Sequence, residues 1–276
     1  MSASVDTDVL VTEPGIYEIP EAAYHADRNL APTLGRSLSS SGAKAILDSP
    51  ARFAWQREHP VVKDAYDFGS AAHQYLLGGG PEVEVIDADS WRTKAAQEQR
   101  DAAREAGRTP ILVADNVRAL ALVAAVMAHP VAGAIFASAG EAERSLYWID
   151  PETGVTCRGR IDWMHPRALV DLKTTINASP GKFSRALVDY GYALQAEWYS
   201  QGYEAVTGER LPFVHVVVEK EPPHLVAVYQ VDQEALAYGA ERATEARRLF
   251  ADCESSGQWP GYSPEIELVS LPAWAR

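Results

Sequence analysis

The chain has 276 residues, 47% hydrophobic and 23% charged, an ordinary composition for a globular protein large enough to bury a full core. Its formal net charge of −13 argues against a general polyanion binder, although an acidic exterior can still surround a local basic channel. Two cysteines, Cys157 and Cys253, exclude a disulfide framework, a four-cysteine zinc site and an iron–sulfur cluster built by this chain alone. No apolar run reaches the roughly 18–20 residues of a membrane span, so a cytoplasmic protein with no membrane partner is expected.

Met1 to Glu13 is polar and acidic, without the basic and apolar regions of a signal peptide, and is expected to be a short disordered lead-in. Tyr17 to Leu34 reads as an irregular arm with a short strand or turn, completing an N-terminal segment over 1–36. Ser41 to Arg57 is patterned as an amphipathic helix behind the cap hydroxyls of Ser39 to Ser41, closed by Pro60. Further helices are predicted over Asp67 to Leu77, ended by Gly78-Gly79-Gly80, over Asp89 to Ala106, over Ala114 to Ala128, and around Val131 to Ser138. The period then changes. Glu143 to Ile149, Thr156 to Met164 and Ala168 to Thr174 read as three consecutive strands. Helices over Ser179 to Asp189 and Tyr192 to Val206, strands over Phe213 to Glu219 and Leu225 to Val231, and a helix over Gln233 to Cys253 follow, with an extended tail over 259–276.

The chemistry concentrates in the second and third strands. Asp162 and Asp171 lie nine positions apart around the turn His165-Pro166-Arg167-Ala168. If Met164 pairs with Leu169, Asp162 falls opposite Asp171, and Asp171 and Lys173 share one face of their strand. Like charges set opposite each other are destabilising unless a cation lies between them. Two carboxylates beside a lysine therefore suit a divalent-metal site for phosphodiester hydrolysis; the plainer alternative is a pair of surface aspartates with Lys173 as a salt-bridge partner. Arg158 and Arg160 fall on the face of Asp162, where phosphates would lie or where they would simply balance charge. Lys182 and Arg185 add cations nearby, whereas Arg92, Lys94, Arg100, Arg104 and Arg108 fit a channel or a solvated helix equally well.

This pattern, with Asp171-Leu172-Lys173 as the D-x-K element, resembles the PD-(D/E)XK nuclease superfamily. Gly69-Ser70-Ala71-Ala72-His73 upstream and Gln195-Ala196-Glu197-Trp198-Tyr199 downstream resemble the G-x-x-x-H and Q-x-x-x-Y motifs of its RecB-like branch. Ser37 to Lys44 and Ser49-Pro50-Ala51-Arg52-Phe53 are similar to the first helix of the RecE group, the exodeoxyribonuclease VIII proteins of prophages. The resemblance implies a mixed α/β fold: a restriction-endonuclease-like αβββαβ core over 141–258 behind a helical part over 37–140, together one nuclease domain over 37–276.

It also implies roles. Asp162, Asp171, His73 and the Leu172 carbonyl would hold Mg²⁺, with Mn²⁺ able to substitute, and Asp162, Asp171 and Lys173 would form the catalytic set, Lys173 positioning the attacking water. Gln195 and Tyr199, one turn apart on a helix, would support the site or touch DNA, although Tyr199 could equally be core. Glu143 is a further candidate beside the metal or Lys173, Thr174 and Thr175 could contact phosphate, and most of His25, His59, His129, His165, His215 and His224 are expected at the surface or in turns. The implied activity is a Mg²⁺-dependent 5′-to-3′ exonuclease on double-stranded DNA ends, leaving a 3′ strand for an annealing recombinase in a bacterial host, in a homo-oligomeric ring. An endonuclease or helicase-associated nuclease, and a non-catalytic DNA-binding module, are the alternatives.

Overall fold

The computed structural model describes residues 11–27, 30–59 and 67–271. Strand β1 (Gly15–Tyr17) and helix α1 (Glu21–Ala26) precede β2 (Ser37–Ser39), which runs directly into α2 (Ser40–Asp48), α3 (Pro50–Glu58) and α4 (Asp67–Leu77). A small unit of β3 (Val83–Ile86), α5 (Lys94–Glu105) and β4 (Thr109–Leu112) leads to α6 (Val113–Ala128) and α7 (Pro130–Ala137). Then come β5 (Glu141–Ile149), β6 (Thr156–His165) and β7 (Ala168–Thr175), helices α8 (Pro180–Asp189) and α9 (Tyr192–Thr207), strands β8 (Phe213–Glu219) and β9 (Val226–Gln230), and α10 (Gln233–Ser256). This is the expected αβββαβ order behind a helical N-terminal part. Among the described residues no single helix is long and apolar enough to cross a membrane.

Seven strands form one mixed sheet in the order β1-β5-β6-β7-β8-β9, with β2 added alongside β6. β5, β6 and β7 form an antiparallel meander, β7 and β8 run parallel, and β9 returns antiparallel. A parallel neighbour requires a crossover, and α8 and α9 provide it. On one side of β6, β2 pairs with Thr156 to Arg158, while β7 pairs with Trp163 to His165. Between those two partners the edge of β6 opens, and Asp162 sits in the opening.

Alternation along β7 sends Leu169 to one face and Val170 and Leu172 to the other. The first face packs on α2, α9 and α10 through Ile46, Leu194, Trp198 and Phe250. The second packs on α4, α6 and α7 through Ala72, Leu122, Val126 and Phe136. Each fully buried aliphatic side chain, such as Ile161 or Leu172, stabilises the sandwich by roughly 1.5–3 kcal/mol. Both faces of the hairpin that carries Asp162 and Asp171 are therefore clamped by helices, which fixes its position.

Several expectations change. The helix expected over Ser41 to Arg57 is two helices, because Pro50 cannot donate a backbone hydrogen bond and Ser49 instead caps α3, its Oγ accepting from the Arg52 N–H at 3.3 Å. The helix expected from Asp89 starts only at Lys94, where Thr93 caps it. The arm over Tyr17 to Leu34 contains α1 and a 3-10 turn at Pro32–Leu34, and β2, β3 and β4 were not foreseen. Residues 259–271 contain no helix or strand, but Trp259 anchors the start of this tail against Phe53 and Phe250 at ring distances of 5.6 and 6.1 Å. Of the lead-in expected to be disordered over Met1 to Glu13, Val11 is buried and bridges Leu30; residues 1–10, Pro60 and the tail from Pro272 onward lie outside the described residues.

Candidate active site

Met164 pairs with Leu169 as the spacing requires, but the ladder stops at Trp163 and Val170. Asp162 and Asp171 therefore do not form a hydrogen-bonded rung. The Asp162 carboxylate instead accepts the Leu172 N–H at 2.8 Å, replacing the ladder bond and fixing the fork between the strands. α4 lays His73 across this fork. Its Nε2 lies 3.0 Å from the Leu172 carbonyl and its Nδ1 3.6 Å from Asp162 Oδ2. A carbonyl only accepts, so Nε2 carries the proton in the neutral ring, and the Nδ1 lone pair faces a carboxylate oxygen. Two acceptors in that arrangement call for a proton or a cation.

Glu143 completes the arrangement from β5. Its neighbours Ala142 and Arg144 pair with Trp163 and Ile161, but the ladder skips the rung between Glu143 and Asp162. Glu143 adopts φ 54°, a left-handed conformation that costs a non-glycine residue on the order of 1–3 kcal/mol and recurs at functional sites. Arg160 holds its carboxylate, Nε donating to Oε2 at 2.6 Å. Donor atoms of His73, Glu143 and Asp162 lie within 4.8 Å of one another. Burial is the main force pushing the Asp162 carboxyl up to about 7, with Asp171 and Glu143 adding to it against His73 and Lys173. Two carboxylates and the nearby Leu172 carbonyl make a hard oxygen set that fits Mg²⁺ or Mn²⁺, and the one imidazole is a borderline donor that Mn²⁺ accepts more readily. A cleft of about 350 Å³ opens onto this group, lined also by Glu21, His25, Ser70 and Tyr199.

Asp171 stands on the other side of the fork and is buried. It accepts hydrogen bonds from Lys173 Nζ at 2.7 Å and Gln195 Nε2 at 2.8 Å, both on Oδ1, while His215 Nδ1 lies 3.4 Å from Oδ2. Burial alone would raise this carboxyl, but Lys173 and His215 outweigh it and hold it well below the usual carboxylate range. Burial likewise opposes the Lys173 ammonium, and Asp171 and Asp162 outweigh that, so the lysine stays firmly charged. Its Nζ also lies 5.1 Å from the centre of the Tyr192 ring. The arrangement is a fixed cation beside a carboxylate pair.

The other expected residues are placed as follows. Gln195 and Tyr199 share the inner face of α9. Gln195 reaches Asp171, and the Tyr199 ring packs over Gly159, where a Cβ would come within 2.8 Å of it. Arg158 and Arg160 do share the face of Asp162, but their forks are already engaged. Arg158 pairs with Asp27 and lies 5.0 Å from the Tyr24 ring centre. Arg160 binds Glu143, the Ile19 carbonyl and Ser145 Oγ. Both guanidiniums thus tie the N-terminal arm to the site rather than standing open to phosphate. Lys94, Arg100, Arg104 and Arg108 each sit beside an acid, whereas Lys182 and Arg185 line a second cleft that also reaches Lys173.

His215 and His224 are the exceptions among the remaining histidines. His215 is fully buried, and the parallel register of β7 and β8 sets it directly beside Asp171. His224 is also buried, its Nδ1 3.0 Å from the Glu219 carbonyl. Nothing in the spacing of His215 marks it. The available signal was its position among Phe213, Val214, Val216 and Val217, a run that belongs inside a sheet rather than at a surface.

Residues 39–272 match the family model described as a PDDEXK-like domain of unknown function (DUF3799). No curated protein matches at the level of sequence. Among solved structures, a candidate exonuclease from Eubacterium rectale is similar over 93% of this chain and 96% of that one, with a TM-score of 0.63 at 15% identity. A phage-related exonuclease from Haemophilus somnus 129PT is similar over 80% of this chain and 96% of its own, at 12% identity and a TM-score of 0.36. The alkaline exonuclease of Laribacter hongkongensis is similar over 80% and 91%, at 13% identity and a TM-score of 0.29. With the family model spanning β3 to β9, helices α2 to α10 and the fork that carries Asp162, Asp171 and Lys173, the chain belongs to the PDDEXK-like DUF3799 family.

Proposed function

We propose that the protein is a divalent-metal-dependent deoxyribonuclease, and that Mg²⁺ is its ordinary ion. The observation that carries this reading is the convergence of His73, Glu143 and Asp162 within 4.8 Å beside a lysine fixed at 2.7 Å from Asp171. His73, Glu143, Asp162 and the Leu172 carbonyl are the groups that would hold the ion; Asp171, expected as a further ligand, stands next to them with its Oδ1 taken by Lys173 and Gln195. A bound divalent cation supplies neutralisation of phosphate charge and acidification of a water.

The chain's own groups do the rest. Lys173 presents an ammonium that can orient the attacking water and stabilise charge developing on the phosphate oxygens. Asp171, Gln195 and His215 fix where that ammonium and its partner carboxylate stand, so little reorganisation is needed during reaction. Hydrolysis adds the water oxygen to phosphorus, breaks one P–O ester bond and leaves a phosphate on one product and a hydroxyl on the other.

The finer reading is a 5′-to-3′ exonuclease acting on double-stranded DNA ends, whose 3′ strand passes to an annealing recombinase, in a ring-shaped homo-oligomer. The fold shared with the Eubacterium rectale protein supports the exonuclease part. Linear and covalently closed duplexes incubated with Mg²⁺ or with chelator test it. Loss of linear DNA alone, only with metal, supports end-dependent digestion, and 5′- against 3′-labelled ends give the polarity. Nicking of closed circles would make it an endonuclease. Binding without cleavage in any divalent metal would make it a DNA-binding module.

A further inference from the structure

The fork separates two clefts of opposite character. On the Asp162 side the lining is acidic and suits a cation. On the Lys173 side a cleft of about 580 Å³ is lined by Lys173, Lys182, Arg185 and Lys220, with Thr174 and Thr175 along its wall and one carboxylate, Asp189. Elsewhere in this acidic protein most arginines lie against carboxylates, for example Arg118, Arg144, Arg210 and Arg248. Among the described residues Lys182, Arg185 and Lys220 have no ion-pair partner, and Lys182 and Arg185 are exposed.

The cleft also has apolar surface. Tyr190 is 65% exposed and Ile176 89% exposed at its mouth, and Tyr192 forms part of its lining. Three uncompensated cations next to exposed aromatic and aliphatic side chains match a polyanion that carries flat bases, for which backbone neutralisation and base stacking act together. The volume lies in the range of small-ligand sites, roughly 300–1,000 Å³, which leaves room for one or two unpaired nucleotides and not for a duplex.

We infer that this cleft is a binding site for unpaired DNA, holding the nucleotides that flank the scissile phosphate on the Lys173 side: Lys182, Arg185 and Lys220 contact the backbone and Tyr190 stacks on a base. The inference rests on the nuclease reading and adds to it where the strand runs and that its ends are parted there. A duplex must then open before its strand reaches Lys173.

The test measures binding of the full chain in chelator, so that no cleavage occurs, using a short fluorescein-labelled oligothymidylate and a blunt hairpin duplex as probes. In the Lys182→Ala, Arg185→Ala, Lys220→Ala triple variant, oligothymidylate affinity is expected to fall at least roughly tenfold, and the plot of log affinity against log salt to flatten by about 2, at ~0.7 per lost contact on a single strand. The hairpin should lose much less. Tyr190→Ala should weaken oligothymidylate roughly tenfold without changing the slope. Arg167→Ala, Arg242→Ala, Arg248→Ala, with the same loss of charge on other surfaces, should bind as the wild type does. All these positions are at or near the surface, and unchanged thermal melting keeps the comparison valid.

Wild-type affinity and slope in the first triple variant would overturn the inference, as would equal losses on hairpin and oligothymidylate. The nuclease reading fails separately, if the wild type leaves DNA intact in both Mg²⁺ and Mn²⁺. The binding result would then stand on its own as a strand-binding cleft.

Discussion

Asp162→Asn is expected to stabilise the metal-free protein at alkaline pH rather than weaken it. An asparagine Oδ1 can keep the 2.8 Å bond from the Leu172 N–H, so only the charge is lost. Burial pushes the native carboxyl up to about 7, against ~3.9 for an unfolded aspartate. A carboxyl whose folded pKa is raised binds its proton more tightly in the native state. Its stabilising contribution is full below the unfolded pKa and is lost as pH rises through the folded one. The upper bound is roughly three units at ~1.4 kcal/mol each, or about 4 kcal/mol. The substitution also removes the attraction of that charge to His73 and Lys173, which reduces the expected gain to about 2 kcal/mol, or roughly 4–8 °C in melting temperature at this chain length. The assay is thermal unfolding of both proteins in chelator at about pH 4.5 and pH 8, repeated with Mg²⁺ and Mn²⁺. The variant should melt above the wild type at the higher pH and near it at the lower. Metal should raise only the wild type appreciably. A variant less stable than the wild type at pH 8 without metal, or an equal metal-induced shift in both, would refute the reasoning.

Removing the Asp171 supports should affect turnover more than binding. His215→Gln is expected to lower kcat roughly 10–100-fold, the usual effect of disturbing a group that orients a metal-site residue, with KM for DNA little changed; steady-state kinetics on labelled duplex decide it. Gln195→Ala removes one of the two hydrogen bonds on Asp171 Oδ1 and leaves the one from Lys173; it should lower activity and melting temperature, at a cost of about 1.5–3 kcal/mol of stability, the range for a hydrogen bond to a charged group. Unchanged melting would contradict that. Gly239→Ala tests the α9–α10 packing, because an added Cβ would stand 2.3 Å from the Ala193 carbonyl oxygen. A loss of at least roughly 1–3 kcal/mol in chemical denaturation is expected from such overpacking.

The hairpin of β6 and β7 was legible because its pattern is local. Apolar alternation and the turn at His165 to Ala168 set the register that pairs Met164 with Leu169, although His165 and Ala168 also pair and the loop is only Pro166-Arg167. α4 and α9 were legible from helical spacing, which placed His73 after Gly69 and Gln195 one turn before Tyr199. The short strands were not, because pairing with distant partners creates them. Ser37 to Ser39 is strand only by virtue of Thr156 to Arg158, and the proline within β4 argues against a strand until Val83 to Ile86 pairs with it. The same limit hid His215, whose role depends on β8 lying parallel to β7 with Asp171 beside it. Arg158 and Arg160 were placed on the correct face, but the acids that engage them come from the arm and from β5, at separations no local pattern encodes. The skipped rung at Glu143 belongs to the same class, since nothing in the run Glu141 to Ile149 announces a left-handed residue.

The most direct measurement is cleavage of a labelled linear duplex by the full chain in Mg²⁺, in Mn²⁺ and in chelator, alongside Asp171→Ala checked for native folding. Metal-dependent shortening of the DNA by the wild type, absent in chelator and absent in the folded variant, is the expected result. Cleavage that persists in chelator, or at wild-type rate in the Asp171→Ala protein, would contradict the assignment of the fork as the hydrolytic centre.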